Sequence, residues 1–140
     1  DPCHQLGTFV CYEAILPDLV RRFAKSGAGV FVNVTNDAWF GDTVAPWQHA
    51  RLAQWRAIET RKYLVRVTNT GVTSVIDPKG EILQSLPTFS PGVLRAEVRL
   101  LGGETPYVRF GDWFTWAVTL ISLIILVVKR VTERKKILSR

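Results

Sequence analysis

The 140-residue chain contains no methionine, only two cysteines and only two histidines. Cys3 and Cys11 do not make a disulfide framework, and an extended segment between them would keep them too far apart to pair. His4 and His49 stand alone, so no Cys/His cluster has the spacing of metal ligands, and no metal site is expected. No glycine-rich phosphate loop is present, because Gly27-Ala28-Gly29 opens a strand rather than a helix. The serine nucleophile-elbow pattern is missing as well, and nothing in the chain asks for a cofactor. Asp1-Pro2 is polar and unlike a signal peptide. With no initiator Met, the chain reads as a piece whose upstream part lies elsewhere.

Charge is equally selective. Acidic and basic side chains nearly balance over residues 1–112, and the surplus of positive charge sits in residues 129–140. There Lys129, Arg130, Arg134, Lys135, Lys136 and Arg140 face only Glu133. A neutral body with a basic tail does not make a nucleic-acid surface, and no nucleic-acid partner is expected. Placed directly after an apolar run, the tail fits the flank of a membrane span.

That run, Trp113 to Val128, carries no charge. As a helix it is about 24 Å long, or about 28 Å if it starts at Phe110, against roughly 30 Å of bilayer hydrocarbon. A buried core helix is the alternative, but Leu120 to Val128 is apolar around its whole circumference except at Ser122. Trp113 and Trp116 supply an aromatic belt, and the basic bias places the tail in the cytoplasm and the remainder outside. The expected organisation is an α/β domain over 1–109, a transmembrane helix over 110–128 and a basic cytoplasmic tail over 129–140.

The α/β assignment follows from local pattern. Leu6 to Cys11 reads as a short buried strand, Pro17 opens a helix whose apolar residues recur at helical spacing, and Gly27 stops it. Ala28 to Val34 is a second strand, apolar enough to be covered on both sides, so the unit predicts parallel pairing with a right-handed crossover. Pro46 to about Arg61 predicts a second helix, with Trp47, Ala50, Ala53 or Gln54, Ala57 and Ile58 on one broad, inward face and Arg51, Arg56, Arg61 and Lys62 forming a basic side that has Glu59 as its lone acid. Tyr63–Thr68 and Gly71–Ile76 read as strands paired around Asn69-Thr70-Gly71, with Glu81–Leu86 as a third and Val93–Val98 as a final strand. Together they predict a mixed sheet.

Chemistry concentrates in Gly7-Thr8-Phe9-Val10-Cys11-Tyr12-Glu13. A cysteine where a strand meets a turn suits a nucleophile, since backbone N–H groups there stabilise a thiolate or an oxyanion. Cys11 reads equally as a small buried hydrophobe. Glu13 reads as a catalytic carboxylate or as a first-turn acid favoured by the helix N-terminus. Trp39 and Phe40, in the turn-rich loop from Thr35 to Asp42, read as a substrate- or membrane-facing lip, or as side chains capping the sheet edge.

The ordered series Cys11-Tyr12-Glu13, Pro17, Asn33 to Gly41, Pro46, Gln48-His49, Arg56 to Glu59 and Asn69-Thr70-Gly71 resembles the C-terminal portion of the bacterial apolipoprotein N-acyltransferases. These are membrane enzymes with a nitrilase-like (carbon–nitrogen hydrolase) domain. The resemblance runs over nearly the whole chain and implies part of an α-β-β-α sandwich followed by the last transmembrane helix. It implies that Cys11 is the nucleophile, taking an acyl chain from a phospholipid as a thioester and passing it to the α-amine of a diacylglyceryl-cysteine apolipoprotein. It implies further that the Tyr12 backbone N–H belongs to the oxyanion site and that Glu13 is a carboxylate near the nucleophile. Trp39 and Phe40 would belong to the lip where lipid arrives, and Arg56, Glu59 and His49 would be structural. The family's general-base Glu and its Lys lie upstream of the cysteine, which implies that these 140 residues alone lack activity. The rivals are a nitrilase or amidase that hydrolyses small amides, and a non-catalytic membrane-tethered binding domain.

Overall fold

The computed structural model describes residues 5–138, so Cys3, His4 and Arg140 lie outside the described residues. Three parallel strands form one half of the sheet: β1 (Gln5–Val10), β2 (Ala28–Thr35) and β3 (Tyr63–Thr68). Two short antiparallel strands, β4 (Ser74–Ile76) and β5 (Ile82–Ser85), extend it in the order β1-β2-β3-β4-β5. The parallel half needs crossovers, and helices α1 (Pro17–Lys25) and α2 (Ala45–Thr60) provide them. Both begin with proline in the first turn, where a missing N–H costs nothing.

Register explains which side chains meet. Gly7, Phe31, Leu64 and Ile76 are partners across four neighbouring strands, so they share one face of the sheet. With Val20 and Ala24 of α1 and Ala53 and Ala57 of α2 they form the buried core. The next row along the strands is Phe9, Asn33, Arg66 and Ser74, also buried under the helices. That row is polar in three of its four members, an expensive choice for a core unless each group is paired.

The opposite face has a different fate. Val10, Val34 and Val67 are register partners there, and all three are exposed, as is Leu6.

Two expectations are corrected. The helix α2 does turn Ala50, Ala53 and Ala57 inward, but Trp47 is exposed, while Arg56 and Lys62 are buried. Alanines allow α2 to lie close on the sheet, and a Trp would hold it away. Lys62, immediately before β3, donates to the carbonyls of Leu101 and Gly103, which fastens the segment around them to the sheet. Nor is there a final strand over Val93–Val98. Residues 91–105 have no regular secondary structure. Val93 and Leu94 instead line a cleft of about 470 Å³ with Val67, Leu86 and Pro91, and the segment's Leu101 N–H reaches the Gly29 carbonyl. Pro91-Gly92 at the head of the segment breaks ladder pairing there.

A five-residue helix α3 (Pro106–Phe110), capped by the Thr105 hydroxyl, packs on α1 and α2. Gly111, at φ 63°, turns the chain, and the long helix α4 (Trp113–Leu138) begins beyond it. Within α4, Trp113–Thr132 is long and apolar enough to cross a membrane, with a mean hydropathy of 1.9 and none of it buried against the domain.

Candidate active site

The carboxyl ends of β1, β2 and β3 lie side by side, the edge at which open parallel sheets place their sites. Cys11 follows the last residue of β1 and opens a tight 3-10 turn, Cys11–Ile15. Its thiol is free and half-buried. Its backbone is left-handed, with φ 49°, a conformation that a non-glycine residue holds at a cost of about 1–2 kcal/mol. The chain thus passes from extended Val10 directly into a reversed residue, lifting the sulfur off the end of the strand. Glu13 caps this turn by accepting the Val10 N–H at 2.7 Å, and is itself exposed. Tyr12 is exposed, its ring 6.3 Å from that of His49.

The loop after β2 carries Trp39 and Phe40. Trp39 is 85% exposed, whereas Phe40 is half-buried with its edge against the His49 ring at 5.8 Å. The two aromatics are therefore not equivalent. Phe40 is packed into the site's wall and Trp39 projects from it.

Beneath Cys11 lies a buried ionic network. Arg66 and Asp37 have no solvent contact, and they pair at 2.8 Å through Arg66 Nη2 and Asp37 Oδ2. A second Arg66 nitrogen donates to Asn33 Oδ1. Asn33 in turn donates from Nδ2 to the carbonyls of Phe9 (3.2 Å) and Cys11 (3.5 Å). The other Asp37 oxygen accepts from Thr35 Oγ1 at 3.1 Å and lies 3.0 Å from His49 Nδ1. That same nitrogen is 3.1 Å from Arg66. A guanidinium only donates, so His49 Nδ1 accepts from Arg66 when bare and gives its proton to Asp37 when protonated, one partner at a time.

Electrostatics agree with the geometry. Burial pushes the Asp37 carboxyl upward, but the His49 hydrogen bond and the Arg66 charge outweigh it and hold Asp37 below the usual carboxylate range. Burial lowers Arg66 from its ordinary value, opposed by the charge and the hydrogen bond of Asp37. Gly71 completes the enclosure. A methyl group there would lie 2.7 Å from Asp37 Cβ, so the Asn69-Thr70-Gly71 turn must end in glycine for the carboxylate to fit. Asn69 Oδ1 accepts the Asp37 N–H at 3.1 Å, tying that turn to the loop after β2.

Of the residues singled out in sequence, Cys11, Tyr12, Glu13 and Phe40 gather around this end of the sheet, with Trp39 on the rim. Asn33, Asp37 and Arg66 were not singled out for roles, although they lie directly under the cysteine. A signal for them exists. Val32-Asn33-Val34-Thr35-Asn36 and Val65-Arg66-Val67-Thr68-Asn69 repeat one pattern, and the two segments are aligned in register. Arg56 and Glu59 pair at 2.9 Å on the far half of α2, and burial raises the Glu59 carboxyl against the pull of Arg56.

Residues 2–105 match the family model of the carbon–nitrogen hydrolases. The chain belongs to that family. Among curated relatives, it is 49% identical to an apolipoprotein N-acyltransferase of Geobacter metallireducens over 81% of this chain and 22% of the relative. It is 40% identical to one from Pseudomonas aeruginosa, over 79% of this chain and 21% of the relative. The chain therefore spans about a fifth of the length of these relatives, and is homologous to part of their nitrilase-like catalytic domain. Among solved structures it resembles a mutant amidase from Nesterenkonia sp., with TM-score 0.50 and 27% identity over 60% of this chain and 34% of that one. That structure shows covalent addition of the acetamide moiety of fluoroacetamide at the active-site cysteine. The mixed sheet flanked by helices, followed by one apolar helix of membrane-spanning length, is the nitrilase-like α/β architecture anticipated for the fold.

Proposed function

We propose that this chain is the nucleophile-bearing part of an enzyme that moves an acyl chain from a phospholipid to the N-terminal amine of a diacylglyceryl-cysteine apolipoprotein. The observation that carries the reading is the left-handed, half-buried Cys11 at the carboxyl end of β1. It occurs in a chain that also holds a membrane-length helix. The Cys11 thiolate attacks the ester carbonyl of the donor, the C–O bond breaks, and a lysophospholipid leaves with a proton. The acceptor amine then attacks the thioester, forming the C–N bond and releasing the thiol. Splitting the transfer this way replaces one difficult step with two easier ones.

The Tyr12 backbone N–H is suited to the oxyanion, and Glu13 shapes the turn that presents the sulfur. Trp39 and Phe40 form the lip over which the acyl chains arrive. Apolar walls here also keep water from the thioester. A bilayer-anchored site receives both lipid substrates without their leaving the membrane, which raises their effective concentration. The general-base Glu and the Lys that the family resemblance calls for come from the upstream part of the full-length parent.

Incubating the full-length parent with phospholipid and measuring intact mass tests the reading. The expected result is an acyl-sized increment that maps to Cys11 and disappears in Cys11→Ala. Release of ammonia from small amides, with no increment on Cys11, would establish the amidase chemistry of the structural relative instead.

A further inference from the structure

We infer that Asn33 and Arg66 are positioning residues for the Cys11 thiol, acting through the Cys11 carbonyl. The inference rests on Cys11 being the nucleophile and goes beyond it by naming what holds the sulfur in place.

Each link in the chain of contacts leaves the next with one arrangement. Asp37 takes one nitrogen of the Arg66 guanidinium, so the fork faces a fixed way. Arg66 has only donors, so the atom of Asn33 facing it must be the amide oxygen. The Asn33 amide nitrogen therefore has to face the other way, toward the carbonyls of Phe9 and Cys11. A flipped amide would set donor against donor at Arg66 and acceptor against acceptor at both carbonyls. The orientation of this side chain is thus dictated by a charge two strands away from β1.

The Cys11 carbonyl needs such a hold. A left-handed non-glycine residue persists only where surrounding contacts over-determine it. Asn33 grips the carbonyls on either side of Val10, and Glu13 grips the Val10 N–H. Between them they hold the peptide unit before Val10 and the one after Cys11, which bracket the turn at the cysteine. Glu13 does this from the exposed side of the turn and Asn33 from the buried row below. The burial of Arg66 makes its contact with Asn33 less open to exchange with water than a surface pair. Thr35 or Asn36 would have been nearer in sequence to the loop, but neither contacts Cys11 among the described hydrogen bonds.

The experiment compares Asn33→Ala and Arg66→Lys in the full-length parent, purified in detergent. It measures kcat and KM for acyl transfer together with the rate of Cys11 alkylation by iodoacetamide. A misplacement of about 1 Å at a nucleophile costs on the order of 100-fold in rate. The expected result for Asn33→Ala is a fall in kcat of about that size, with KM changed less than about two-fold. Arg66→Lys keeps the charge but cannot fork between Asp37 and Asn33, and should lose roughly 10-fold in kcat. Alkylation of Cys11 should change in both variants while their unfolding midpoints still show a folded domain. If Asn33→Ala does not fold, Arg66→Lys carries the test. A folded variant with parental kcat, or a loss confined to KM, overturns the inference. Failure of the thioester reading is distinguishable, because it appears as a missing acyl increment in the parent itself, whereas the alkylation rates still report whether Asn33 and Arg66 govern the sulfur.

Discussion

A carboxylate without solvent contact organises the residues under Cys11. The Asp37 side chain receives the Arg66 guanidinium and the Thr35 hydroxyl and lies against His49, while the Asp37 backbone N–H donates to Asn69 Oδ1. Removing its charge leaves Arg66 buried without a counter-ion, which typically costs about 3–5 kcal/mol. Asp37→Asn should therefore lower the urea midpoint of the domain strongly at pH 7. The folded-state carboxyl is held below its unfolded value of about 4, so its stabilisation is complete above that value and is lost as the pH falls through the folded one. The stabilities of parent and Asp37→Asn should accordingly converge in acid. A constant difference between them from pH 7 down to pH 3 would show that the pair contributes through packing alone. This network was hard to see in sequence because Asp37 and Arg66 are 29 residues apart and each sits in a run that reads as ordinary loop or strand. Cys11 was easier, since a strand end followed by a turn is a local signal.

At the level of elements, strands and helices were largely legible because their periods differ and their ends carry Pro17, Gly27 and Pro46. The segment Val93–Val98 read as a final strand, but local sequence does not supply a partner strand. The same limitation hides the most consequential feature of the sheet. Val10, Val34 and Val67 read as core positions, yet in this chain they form an exposed apolar row. The α-β-β-α resemblance supplies the reason, since a second sheet, contributed from outside these residues, would pack on this face about 10 Å away. Val34→Asp is the corresponding test. On an exposed surface it would alter stability by less than about 0.5 kcal/mol. Under a second sheet in the full-length parent it buries an unpaired carboxylate, and the expected loss is at least about 3 kcal/mol, read as a shifted urea midpoint. An unshifted midpoint would mean that the face stays open to water.

For the whole molecule, the decisive relation is between the site and the bilayer. A helix of 20 residues, Trp113–Thr132, is about 30 Å long, enough to cross the hydrocarbon with Lys129 and Arg130 at its far end. Only Asp112 and the bent Gly111 separate it from α3, which is packed on α1 and α2, so the domain is held close to the membrane surface. We propose, from the bias of Lys129, Arg130 and Arg134 against a neutral domain, an orientation with the domain outside and the tail inside. In the proposed orientation Cys11 would lie on the outer side of the membrane, where an acceptor amine would have to arrive already translocated. A fluorescent-protein fusion after Arg140, of a type that matures only in the cytoplasm, should glow in cells expressing the full-length parent. A phosphatase active only outside the cytoplasm should be silent at the same junction. The reverse pair of results would place Cys11 on the cytoplasmic face and require its acceptor to be modified before export. Charge reversal separates cause from coincidence: replacing Lys129 and Arg130 with glutamate should weaken the cytoplasmic preference of the tail, and no change would mean that upstream spans alone set the orientation.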